Sequence, residues 1–167
     1  TGASQPTGLL QKTTQGKAGN TGSVTSVTWD ELIDPEMSVG PAYRSMPGVG
    51  YMFHNNTLTA LRKLKDGEGR YLWQPGGNVT GGPPATINGY RYTLNNDVPV
   101  MAASTNTIVF GDLSRYLIRD VRTVQLFRFN EHYMVNGQVG FLAWARADGH
   151  LLDAGTNPVK HFTSAAS

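Results

Sequence analysis

Apolar and polar positions change their spacing several times along these 167 residues, and each change marks an element. Residues 1–22 show no period beyond the Leu9-Leu10 pair and are rich in Gly, Thr and Gln, which reads as a flexible linker. Order is expected from Ser23. Thr28-Trp-Asp-Glu31 has the spacing of a capping box, with Leu32 and Ile33 opening an apolar helix face. Pro35 is expected to stop or restart that helix. Val49, Tyr51 and Phe53 alternate as one face of a short strand. A helix over 57–66 follows, capped by Asn55 or Asn56 and buried through Leu58, Leu61 and Leu64. Gln74 opens a Gly/Pro-rich loop over 74–85. Asn88-Gly89 then sits where a tight hairpin turn needs two positive φ angles. Residues 107–111 read as a buried strand, 112–114 as a turn, and 116–118 and 124–129 as further strands. Alternation over 138–146 predicts the longest strand, and 163–167 reads as a polar tail.

Composition narrows the class. The chain is long enough for one domain with a real core. Its charged fraction is 16%, low against an ordinary ~25%, while 20 Gly and 9 Pro imply many turns. Such a composition suits a β-rich domain with a surface partly covered by neighbours, and it equally fits a loop-rich secreted domain. Cysteine is absent, so neither disulfides nor thiolate metal sites can form. No run approaches the ~18 apolar residues of a membrane-spanning helix. Fourteen Lys+Arg against twelve Asp+Glu give a net charge of only +2, with signs alternating rather than gathered into a basic patch.

No catalytic, cofactor or metal motif passes inspection. Gly16-Lys17 lacks the remaining residues of a phosphate loop, and Gly48-x-Gly50 and Gly67-x-Gly69 lack the third glycine of a dinucleotide fingerprint. The histidines have no metal-ligand spacing. Two other functions stay open: a small hydrolase using Asp148, His150 and Asp153 around one turn, and a carbohydrate-binding module using Tyr71 and Trp73. Of the three tryptophans, Trp73 is expected to be the most exposed.

One charged cluster stands out. Asp112, Arg115, Arg119, Asp120, Arg122, Arg128 and Glu131 are interleaved with Tyr116, Leu117, Ile118 and Phe127. It fits either the solvated face of amphipathic strands or a set of arginines that fork onto carboxylates of neighbouring subunits. The stretch uses arginine and no lysine, which suits bidentate contacts.

The same region carries a family resemblance. Phe110-Gly-Asp112, Ser114-Arg-Tyr116, Arg119-Asp120, Asn130-Glu131, Gln138-Val-Gly-Phe141 and Ala145-Arg-Ala-Asp-Gly149 resemble the C-terminal part of tailed-bacteriophage major capsid proteins with the Hong Kong 97 fold. Gly2 to Leu10 and Ile87-Asn-Gly-Tyr90 are similar to further stretches of that family, although Arg91 stands where the family commonly has proline. The resemblance implies an α+β fold, with an axial domain over 23–123, peripheral-domain strands over 124–160 and a tail over 161–167. It implies that an N-terminal arm, an extended loop and a spine helix lie upstream, making this a C-terminal portion. It also implies a structural, non-enzymatic subunit that self-assembles into hexamers and pentamers, with a scaffold protein as a further partner and no membrane. The icosahedral shell would enclose double-stranded DNA without sequence-specific contact, be assembled in the bacterial cytoplasm and end in the virion. Asp112 to Glu131 would then supply subunit contacts.

Overall fold

Residues 107–112 form the best-buried strand of the protein, because both of its faces are covered. The computed structural model describes residues 6–20, 24–73, 86–121, 124–131, 133–153 and 155–166. Its first elements are α1 (Leu9–Lys12), β1 (Thr14–Ala18), α2 (Trp29–Ser38), α3 (Pro41–Arg44), β2 (Val49–Phe53) and α4 (Asn55–Arg62). Then come β3 (Thr86–Ile87), β4 (Tyr90–Leu94), β5 (Asn106–Asp112) and a single 3₁₀ turn at Leu113–Arg115. The chain continues through β6 (Tyr116–Asp120), β7 (Gln125–Phe129), β8 (Gly140–Trp144), β9 (Ala147–Leu151) and β10 (Val159–Thr163).

Six strands make one mixed sheet in the order β1-β10-β5-β2-β4-β3. The β1–β10 and β2–β4 pairs are parallel and the others antiparallel. Alternation along β5 divides its side chains between two cores. Ile108 and Phe110 join Leu32, Tyr51, Phe53, Leu61 and Phe162 beneath α2 and α4. Val109 joins Leu151 and Val159 on the opposite face, under Leu9 and Leu10 of α1. Each large side chain buried this way contributes about 1.5–3 kcal/mol, so the larger cluster anchors the fold. Two smaller antiparallel ladders, β6–β9 and β7–β8, stand outside the sheet.

Several expected features are present. Thr28 caps α2 with the reciprocal Glu31 contact. Asn88 (φ 50°) and Gly89 (φ 83°) make the β3–β4 turn. The stretch 55–62 is helical, although its cap is His54, whose Nδ1 accepts from the Asn56 amide, rather than an asparagine.

Others need correction. Residues 9–18 are not linker: they form α1 and β1, and β1 is an edge strand hydrogen-bonded to β10. Their weak apolar period hid this, because Thr14 and Gln15 are exposed and only Thr13 is buried. Residues 6–8 and 19–20 of the expected linker lie outside helices and strands, while 1–5 and 21–22 lie outside the described residues, as do Ser23 and the loop 74–85. Residues 161–166 are not a tail: His161 and Phe162 belong to an interior strand, and Ser164 and Ala165 are buried beyond it. Pro35 does not end α2. The helix forgoes one backbone bond there, but Pro35 is buried against β1, where a side chain on Gly16 would stand 3.2 Å from the Pro35 Cα. The longest described strand is β5, of seven residues, whereas 138–146 yields only the five of β8.

Candidate functional site

The charged cluster divides into an internal half and an external half. Asp112 ends β5 and is 2% exposed. Its carboxylate accepts from the Ser114 amide at 3.2 Å, the Ser114 hydroxyl at 2.5 Å and Arg115 Nε at 3.2 Å. Gly48 packs so closely here that a Cβ on it would strike Asp112 and Ser114. Asp112 and Arg115 therefore fix the corner between the sheet and β6, with the Arg115 guanidinium 5.7 Å above the Tyr43 ring. Charge-assisted bonds to a buried carboxylate are the strong kind, so this corner is rigid.

A second contact holds β6–β9 to the start of the chain. The Tyr116 hydroxyl donates to the Thr7 carbonyl at 2.8 Å, and the Thr7 amide donates to the Gly149 carbonyl at 3.2 Å. A Cβ on Gly149 would collide with the Tyr116 phenol, so glycine lets the ring lie flat across β9. Sequence reading singled out Tyr116 and Gly149 as motif residues but could not reveal that they share a partner 109 residues from Tyr116.

Arg119, Asp120, Arg128 and Glu131 are exposed and make no side-chain hydrogen bond or ion pair with any described residue. Arg119 and Asp120 lie on β6, with Arg119 in register with Asp148, and Arg128 lies on β7. Glu131 follows β7 at the hairpin end, and Arg122 lies outside the described residues. An open groove lined by Pro6, Arg119, Val121, Ala145, Arg146 and Asp148 runs beside the first pair.

Between these charges the chain leaves large apolar groups uncovered. Leu126 and Phe141 are each 66% exposed and Ile118 is 70% exposed. Phe127, Phe129, Leu142 and Trp144 are also in the open. Among the described residues, most exposed large hydrophobics fall between Leu117 and Leu152. Strand alternation places those of β7 and β8 on both faces of that hairpin, and Leu117 and Ile118 lie on β6. A lone two-stranded hairpin is marginal in water, and large apolar groups exposed in such number mark an interaction site. Sequence reading found the charges and missed this surface, because apolar alternation looks the same whether a strand meets its own core or a partner.

The alternative sites do not assemble. Trp73, expected to be exposed, is buried: its Nε1 donates to the Thr86 carbonyl at 3.2 Å and its ring stands edge-on to Tyr92. The exposed tryptophan is Trp144, with Arg146 stacked 4.5 Å from its ring centre. Asp148, His150 and Asp153 make no hydrogen bond with one another. Asp153 instead accepts the Thr156 and Asn157 amides and shapes a turn.

Comparison with known proteins gives a consistent result. Residues 1–162 match the model of the Phage capsid family. The major capsid protein of Halomonas phage phiHAP-1 is 34% identical over 116 residues, which is 68% of this chain and 16% of that protein. Among solved structures, the capsid of the native GTA particle superposes with a TM-score of 0.76 at 28% identity, covering 96% of this chain and 56% of that one. The capsid of the empty GTA particle gives 0.74 at 27% identity, covering 96% and 62%. A Gordonia phage Cozz chain shares the fold at 15% identity, with a TM-score of 0.62. The chain thus spans less than two thirds of each of these relatives.

Proposed function

This chain belongs to the phage capsid family, and on that premise we propose that it is part of the structural subunit of an icosahedral phage or prophage head. The reading is a shell component of the virion, with no catalytic role, that assembles with copies of itself into hexamers and pentamers around double-stranded DNA. A scaffold protein and assembly in the host cytoplasm belong to the same proposal. So does the division into an axial part built on the six-stranded sheet and a peripheral part built on the outer ladders.

The observation that carries the reading is the exposed apolar surface of β6–β9 and β7–β8, edged by Arg119, Asp120, Arg128 and Glu131, whose side chains pair with no described residue. Apolar area drives association, while edge charges set register and exclude wrong partners. Asp112 is buried inside the subunit, whereas Arg115 pairs with it and keeps its side chain 41% exposed. Arg119 is the better probe of assembly. Electron microscopy of the complete gene product should show rings or closed shells. Arg119→Glu should abolish them while leaving the subunit folded. Shells that survive Arg119→Glu together with Arg128→Glu would remove these arginines from the interface, and dispersed particles from the unmodified protein would overturn the head-subunit reading itself.

A further inference from the structure

Among the described residues, one buried imidazole has no counter-charge beside it, and it lies at the seam that holds the N-terminal segment. His161, on the interior strand β10, is 7% exposed. Its Nδ1 is 2.8 Å from the Thr13 hydroxyl, between α1 and β1. Thr13 Oγ1 also lies 3.2 Å from the Leu10 carbonyl, an acceptor for its hydroxyl. Burial, reinforced by Lys160 and opposed only by the Thr13 backbone, holds the ring below its ordinary pKa of 6.5.

Among the described residues no carboxylate pairs with His161. On α1 the charged group is Lys12, and on β1 it is Lys17, which pairs with Asp34 at 2.7 Å. On β5, Asp112 is held by Arg115. On β9, Asp148 accepts from the Gly149 amide and His150 is exposed. The acids of α2 are engaged too, Glu31 with Asn20 and Thr28, and Glu36 with Tyr51 and Asn88, while Asp30 is exposed.

We propose that the His161–Thr13 contact is an acid-sensitive latch: adding a proton to His161 releases residues 6–18 from the sheet while the remaining strands stay paired. The consequence reaches beyond β1. The same segment also contacts the outer β6–β9 ladder through Thr7, so its release would remove that contact. This inference does not depend on the assembly reading.

The sign follows from linkage. A histidine whose folded pKa lies below its unfolded value lends its full stability above the unfolded pKa. That contribution is lost as pH falls below about 6.5 and onward through the folded value. The test is hydrogen exchange of the 167-residue chain, corrected for intrinsic chemistry, combined with NMR titration of the His161 ring. Between about pH 7.5 and pH 5, amides 13–18 should exchange faster by roughly threefold or more, with β2 and β5 amides unchanged. His161→Gln keeps a donor but cannot titrate, so it should remove the acceleration. A ring that titrates at or above 6.5, equal acceleration of β2 and β5, or acceleration that persists in His161→Gln would each overturn the latch. The titration needs no variant, so a His161→Gln chain that fails to fold leaves a decisive measurement in place.

Discussion

Asp112 shows how one side chain can look like a contact and work as a clasp. With Arg115 three residues on and aromatic neighbours, its sequence setting suits an interface; at 2% exposure it serves the fold. The carboxylate takes three donors from Ser114 and Arg115 at the point where the sheet gives way to β6. Asp112→Ala should therefore destabilise the chain by about 2–3 kcal/mol, the cost of removing charge-assisted bonds from a buried site. Chemical denaturation would measure it, and a loss below about 0.5 kcal/mol would mean the corner holds without the carboxylate. Nothing in the sequence could separate the two roles of Asp112, since the decisive neighbour is Gly48, 64 positions earlier and close only after folding. Arg119, four residues from Arg115, was read the same way and does stay free. Position along the strand decides: β6 turns outward after Tyr116, and from Leu117 to Asp120 every residue is exposed.

Elements with their own local chemistry were legible, and those defined by distant partners were not. The capping box at Thr28 and Glu31, the Asn88-Gly89 turn and the alternation of Val49, Tyr51 and Phe53 all follow from neighbours within a few residues. The edge strand β1 has no such signal, because its definition is a parallel pairing with β10 about 146 residues away. Glu31 links the two cases. Its carboxylate closes the capping box and also accepts the Asn20 amide at 2.6 Å, tying the stretch after β1 to the start of α2. The two functions separate by mutation. Thr28→Ala removes only the cap and should cost about 1 kcal/mol. Glu31→Ala removes the cap partner and strands the Asn20 amide, so it should cost about 2–3 kcal/mol. Urea unfolding of the two variants side by side tests this, and equal losses would mean that the Asn20 contact adds nothing to the helix start.

At the scale of the whole molecule, burial is divided unevenly. The six-stranded sheet carries most of both apolar cores, whereas the outer ladders, apart from Leu151 and Tyr116, leave most of their large apolar side chains exposed. A stable domain ordinarily gains from every such group, so an uncovered hairpin points to burial completed by contact with something else. Leu126 and Phe141 sit on paired strands, and each is 66% exposed. Replacing both with Thr keeps β propensity and removes apolar area without touching either core. The double variant should therefore unfold within about 1 kcal/mol of the unmodified chain, as exposed substitutions do. In the complete gene product, the same pair should prevent assembly, read as loss of fast-sedimenting particles in velocity centrifugation. A large fall in stability would instead show that the hairpin packs against its own subunit, and unchanged particles would show that the shell is held together elsewhere. These outcomes separate burial within the subunit from burial between subunits, which strand alternation in the sequence leaves undivided.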